Sequence, residues 1–184
     1  MKKKIMIAMA GLLLTASALM VPSSTFAQKN KAKMVAESSK AKAALIKSDA
    51  GLSNLFKTAY GYVIFPNIGK GALVVGAAGG KGTVYEGGKS IGWAKMKQVT
   101  VGAQAGGQAY REVIFFETQE ALNRFKDNKL EFSAQMSAVA VKAGASANAK
   151  YTDGILIFTE ERGGLMLEAS IGGQKFSYKP FGKK

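Results

Sequence analysis

Glycine recurs where this chain otherwise reads as β-strand, at Gly61, Gly69, Gly71, Gly76, Gly79, Gly80, Gly82, Gly102, Gly106 and Gly107. A glycine inside a strand costs order and leaves no side chain to pack, so a run of them needs a steric reason. Alanine fills the faces between. Val99, Val101, Ala103, Ala105 and Ala109 alternate with Thr100, Gln104, Gln108 and Tyr110. Further on, Val139, Val141, Ala143, Ala145, Ala147 and Ala149 alternate with Lys142, Ser146, Asn148 and Lys150. Small residues on this scale imply close backbone approach. The expectation is a sharply bent sheet, or a helix lying directly on one.

The remaining strand signals fit that frame. Residues 60–65 form a β-rich run that Pro66 is expected to stop, and 72–78 are apolar and small. Thr83-Val84-Tyr85 and Ser90-Ile91-Gly92-Trp93 flank Glu86-Gly87-Gly88-Lys89, a hairpin turn signal. Val113-Ile114-Phe115-Phe116 is another strand. Thr118 reads as an N-cap, with Glu120 in the first turn and Leu122 and Phe125 on one face, and Asp127-Asn128 as the stop. Turns at Asp153-Gly154, Gly163-Gly164 and Gly172-Gly173 separate three later strands. The fold class is therefore α+β: a mostly antiparallel, Gly/Ala-rich bent sheet of about eight short strands, with an N-terminal helix and one or two short helices.

Residues 1–27 read as a secretory signal peptide. Lys2, Lys3 and Lys4 precede an uncharged apolar run over 5–20, and Thr25-Phe26-Ala27 places small residues at the −3 and −1 positions. Three segments are expected: the signal peptide at 1–27, a basic amphipathic helical segment at 28–54, and a sheet-rich domain at 55–184. The setting is then exported, periplasmic or extracellular, and peripheral on a membrane.

Charge and missing residue types narrow the function. The chain has 26 Lys and Arg against 12 Asp and Glu. Without Lys2 to Lys4 the balance is 23 to 12, a net +11, and arginine occurs only at Arg111, Arg124 and Arg162. Lysine is a strongly hydrated point charge, suited to diffuse attraction toward polyanions rather than to bidentate pairing. The chain has no His and no Cys. That removes Ser-His triads, Cys nucleophiles, imidazole or thiolate zinc sites and thiol redox chemistry. Gly88-Lys89-Ser90 is not a phosphate loop, because Thr83 stands where the motif needs glycine. Aromatic residues lie inside apolar runs rather than among the cations, which argues against specific nucleic-acid binding. The alanine faces give lipid too little to contact for a transmembrane barrel. No catalytic residue, cofactor or metal is expected.

The clearest functional handle is the helix expected at 28–47. Met34, Ala41 and Leu45 form one stripe, and Lys29, Lys33, Lys40 and Lys47 fall together on another face, with Lys31 and Lys42 flanking. These six lysines are the candidate lipid-binding residues. Each can contribute about 1 kcal/mol beside an anionic surface.

From Ala59 onward the sequence resembles the SYLF domain family. Ala59-Tyr60-Gly61-Tyr62-Val63-Ile64-Phe65-Pro66 is similar to that family's opening, and Lys70-Gly71 and Gly76-Ala77-Ala78-Gly79-Gly80-Lys81-Gly82 follow in order. Next come Val101-Gly102-Ala103-Gln104-Ala105-Gly106-Gly107-Gln108, the strand 113–116, and Leu122 with Phe125. Gly163-Gly164-Leu165 with Leu167-Glu168-Ala169-Ser170 resembles the closing region. The resemblance implies a compact sheet-rich domain that binds membrane lipids, with an amphipathic N-terminal helix contributing. Eukaryotic members bind phosphoinositides, and some bind actin. It lends no catalytic residues.

Together these readings point to a non-enzymatic domain that binds anionic membrane lipids at an envelope membrane surface. The alternative is a structural or interaction protein of the envelope that binds an anionic polymer or a protein partner.

Overall fold

The computed structural model describes residues 23–71, 75–101, 108–130, 137–161, 169–170 and 173–182. In chain order these form α1 (Ser23–Ser48), α2 (Leu52–Thr58), β1 (Gly61–Gly71), β2 (Val75–Glu86), β3 (Lys89–Val101), β4 (Gln108–Phe116), α3 (Gln119–Lys126), β5 (Ser137–Ala140), a 3-10 turn (Ala145–Asn148), β6 (Ile155–Glu161), β7 (Ala169–Ser170) and β8 (Gln174–Pro180). The sheet order is β7-β5-β6-β4-β1-β2-β3-β8, and every named pairing is antiparallel except β5 with β6. The α+β class and the mostly antiparallel sheet hold.

The strands are not uniformly short: β1, β2 and β3 run 11, 12 and 13 residues. Pro66 does not stop β1. The pairing register shifts between Ile64 and Ile68 on the β2 side and between Phe65 and Ile68 on the β4 side. A proline has no N–H for the ladder, and a bulge is where a sheet accommodates it. The runs at 72–78 and 83–85 belong in part to the single strand β2. The hairpin does form, with Gly87 and Gly88 at φ +54° and +76°, the left-handed pair that a two-residue turn demands.

The alternating stretch from 137 to 151 is also corrected. Only Ser137–Ala140 is strand, and Ala145–Asn148 is a 3-10 turn. Gly144 takes φ +79° ahead of it, and the Asp49 carboxylate accepts the Ser146 N–H at 2.7 Å. Alanine has little strand preference of its own, so a contact made 97 residues away along the chain decides the local conformation. The expected features at Gly102, Gly106, Gly107, Gly163, Gly164 and most of 165–171, and the segment at 1–22, lie outside the described residues.

The sheet is bent sharply. β4 and β8 stand four places apart in it, which would be roughly 19 Å in a flat sheet. Yet Gln174 of β8 donates to Glu112 of β4 at 3.0 Å, and the rings of Phe65 and Phe176 lie 5.9 Å apart. Glycine permits the bend at Gly82, where a Cβ would sit 2.6 Å from the Ile64 carbonyl oxygen and 2.8 Å from the Phe65 ring. The inner face of the bend holds Val63, Phe65, Val84, Met96, Ile114 and Phe116, closed by Leu122 and Phe125 of α3. Thr118 caps α3 by accepting the Ala121 N–H at 3.2 Å.

The outer face carries a second core. Ala41 and Leu45 of α1, with Leu52 and Phe56 of α2, cover Tyr62, Ile64, Tyr85, Val113, Phe115, Leu156 and Phe158. The boundary expected between 54 and 55 falls within α2.

Candidate functional site

Helix α1 is fixed to the outer face by one buried stripe. Ser38, Ala41 and Leu45 are buried and Met34 is half-buried, the i, i+4, i+7, i+11 spacing of a single helix face. The stripe is partly polar. Ser38 Oγ donates to Thr83 Oγ1 at 2.9 Å, and Thr83 Oγ1 donates to the Met34 carbonyl at 3.2 Å. At the C-terminal end, Ser48 Oγ donates to Glu160 at 2.5 Å, and Glu160 also pairs with Arg111. Asp49 follows. Burial pushes its carboxyl up, but the donors from Ser146, Gly51 and Gly144 outweigh this and hold it below the usual range.

This anchoring decides where the six candidate lysines point. Lys29, Lys33, Lys40 and Lys47 are exposed and lie on the side of α1 away from the sheet. Lys33 has Glu37 one turn on, at 3.9 Å. The flanking pair behaves differently. Lys31 Nζ lies 4.9 Å over the Phe181 ring, so it reaches toward the end of β8. Lys42 is half-buried, with Nζ 4.5 Å over Phe56 and 5.2 Å over Tyr62. Desolvation lowers its pKa, and burial pushes the Tyr62 phenol up to about 12. Lys42 is therefore a packing cation at the edge of the outer core.

Sequence reasoning missed a second set of cations. Lys81, Lys95, Lys97, Lys175 and Lys179 are all exposed on β2, β3 and β8. Directly opposed residues share a face, and the register sets Lys81 against Lys95, Lys97 against Lys175, and Trp93 against Lys179. Thr83, which touches α1, opposes Trp93. The five lysines thus occupy the part of the outer face that α1 leaves uncovered. Trp93 sits among them, 5.6 Å from Lys81 Nζ and 5.9 Å from Lys179 Nζ. The signal was present as period-two lysines, in Lys95-Met96-Lys97 and Lys175-Phe176-Ser177-Tyr178-Lys179.

Among the described residues no cluster of three or more acidic, His or Cys side chains could hold a metal, and no helix is long and apolar enough to cross a membrane. The buried carboxyl of Glu112 is pushed up to about 7 by desolvation, against the hydrogen bond from Gln174. It faces the inner core, fully buried beside Gln174.

Residues 97–179 match the family model Ysc84, described as Las17-binding protein actin regulator. That span runs from the last third of β3 to the end of β8. A curated relative, Beta cell expansion factor A of Aeromonas veronii, is 33% identical over 124 residues, 66% of this chain and 47% of that protein. The chain spans about half the length of that relative. The expected resemblance is thereby met over residues 97–179, which match the Ysc84 (SYLF) family model.

Proposed function

We propose that this protein is an exported, non-enzymatic domain that binds anionic lipid at the surface of an envelope membrane, with α1 as the contact. The observation that carries this reading is the row Lys29, Lys33, Lys40 and Lys47, exposed on the side of α1 that faces away from the sheet. The helix is held rigidly behind that row by Ser38, Ala41, Leu45 and Ser48, so the charges are presented together. The family is one of binding domains, which supports a role without catalysis. The apolar stripe of α1 is spent on the sheet, so the contact is electrostatic and peripheral, without insertion of the helix. The export reading rests on the Lys2 to Lys4 and 5–20 pattern, and it leaves envelope lipids as the simplest anionic surface.

Co-sedimentation with vesicles tests this. Binding to vesicles containing one-third anionic phospholipid should exceed binding to neutral vesicles and fall steeply with salt. The triple change Lys29→Gln, Lys33→Gln and Lys40→Gln should lower partitioning by about a hundredfold, at about 1 kcal/mol per lysine. Equal binding to neutral and anionic vesicles at low salt would rule the mechanism out.

A further inference from the structure

We propose that the uncovered outer face of β2, β3 and β8 is a separate binding floor for an extended polyol-phosphate polymer, a chain of phosphodiesters with no bases. Five exposed lysines make the floor: Lys81, Lys95, Lys97, Lys175 and Lys179. Strands β2, β3 and β8 contain one carboxylate, Glu86. It lies at the hairpin end, taken up by Tyr60 at 2.9 Å and Lys126 at 3.8 Å. Among the described residues none of the five lysines is in an ion pair.

Like charges directly opposed across a ladder destabilise it, and here this happens twice, at Lys81 with Lys95 and at Lys97 with Lys175. Lysines on an edge strand alone would be explained by protection against strand addition. β8 is such an edge, but β3 is paired on both sides, so Lys95 and Lys97 have no edge to protect. An anionic ligand relieves the repulsion.

The shape selects the kind of anion. α1 stands on this same face beside Thr83 and Trp93, and a helix rises about 10 Å from what it packs on. A planar bilayer resting on the outer lysines of α1 cannot also lie on the floor, whereas a flexible chain can run along the foot of the helix. Alternate residues on a strand repeat roughly every 7 Å, and neighbouring strands lie about 4.8 Å apart. The cations therefore form a lattice suited to successive phosphates. An open hollow of about 550 Å³, lined by Gly79, Gly80, Lys81, Lys95 and Lys97 among others, gives a phosphate room between the stems. A single aromatic, Trp93, is too little to stack successive bases.

Trp93 is the one tryptophan of the chain, and it reports on the floor directly. Polyglycerol phosphate titrated into the full-length protein should change Trp93 emission. The plot of log affinity against log salt should have a slope of about −3.5, at about 0.7 per lysine for a flexible polyanion. Lys95→Gln with Lys97→Gln and Lys175→Gln should reduce that slope by about 2 and weaken binding at 50 mM salt by more than about tenfold. The same variant should keep its sedimentation with anionic vesicles, and the α1 triple variant should show the reverse pattern. Circular dichroism melting confirms that both are folded. Unchanged affinity and slope in the floor variant would overturn the proposal. Loss of vesicle and polymer binding together would also overturn it, because one shared surface would then serve both. A tenfold preference for single-stranded DNA of equal charge would show a nucleic-acid site instead. Failure of the wild-type protein to sediment with vesicles would sink the lipid reading alone.

Discussion

The two faces of the sheet divide the charges in opposite ways. The inner face buries a carboxylate, Glu112, with a neutral amide as its hydrogen-bond partner. The outer face displays five lysines with no carboxylate beside them. Acid–base pairs form elsewhere, Arg111 with Glu160 and Lys126 with Glu86 among them, but among the described residues neither Glu112 nor any of the five lysines takes part in one. The fold keeps those five cations outside, where water and anions reach them, and keeps Glu112 inside, where desolvation favours its neutral form. A surplus of surface cations that is not spent on internal pairing is available for binding.

The largest effect should come from releasing what covers the outer face. Leu45 is fully buried between α1 and the sheet. Leu45→Ala should cost about 4 kcal/mol of stability, read by urea unfolding. If most of that cost is absent, α1 does not hold the outer face and the lysine row is not rigidly presented.

The inner face should show itself through pH. Glu112 is raised from 4.5 to about 7, so the folded state holds a proton that the unfolded state loses in that range. Stability contributed by this group is therefore complete below about pH 4.5 and lost as pH rises through about 7, a swing of about 3 kcal/mol. Thr159, directly opposite on β6, and Gln174 each present a buried oxygen without a partner among the described residues, so a protonated Glu112 has acceptors beside it. Glu112→Gln should flatten the dependence of the melting temperature on pH between 4.5 and 7. An unaltered pH profile would place the proton elsewhere.

A smaller change separates the helix from the sheet at its C-terminal end. Ser48→Ala removes the donor to Glu160 and should cost about 1 kcal/mol, leaving the Arg111 pair in place. Smallest of all, Lys95→Gln removes one of the opposed like charges. It should raise the melting temperature by about 1–2 °C at low salt, with no gain at high salt. A fall instead would mean the lysine stem matters more for packing than its charge does for repulsion.

Local chemistry made parts of this legible. Thr118 was readable as a cap because a β-hydroxyl before Glu120 and an apolar face has few other uses. Gly87-Gly88 was readable as a turn because only glycine enters those dihedrals freely. On α1, helical spacing alone separated Lys29, Lys33, Lys40 and Lys47 from the flanking Lys31 and Lys42, and the structure keeps that division: the four point outward and the two rest on aromatic rings. What failed were readings that depended on distant partners. Pro66 looked like a stop because the bulge that admits it is made jointly by β2 and β4. Residues 143–149 looked like strand because alternation of alanine with polar residues carries no record of Asp49. The lysine floor was present as alternate lysines in two runs nearly eighty residues apart, and nothing local says that they are neighbours.

The sequence by itself determined the class of this protein: α+β, glycine-bent, strongly basic, without the residues for triad, thiol or zinc chemistry, and with a lysine row on its first helix. These follow from composition and short periods, which act at every position independently of the fold. Only the tertiary structure decided that β3 pairs with β8, that the sheet bends far enough for Gln174 to reach Glu112, and that α1 covers just part of the outer face. Each of these depends on contacts between residues far apart in the chain, whose free energy exists only once the strands between them are in place.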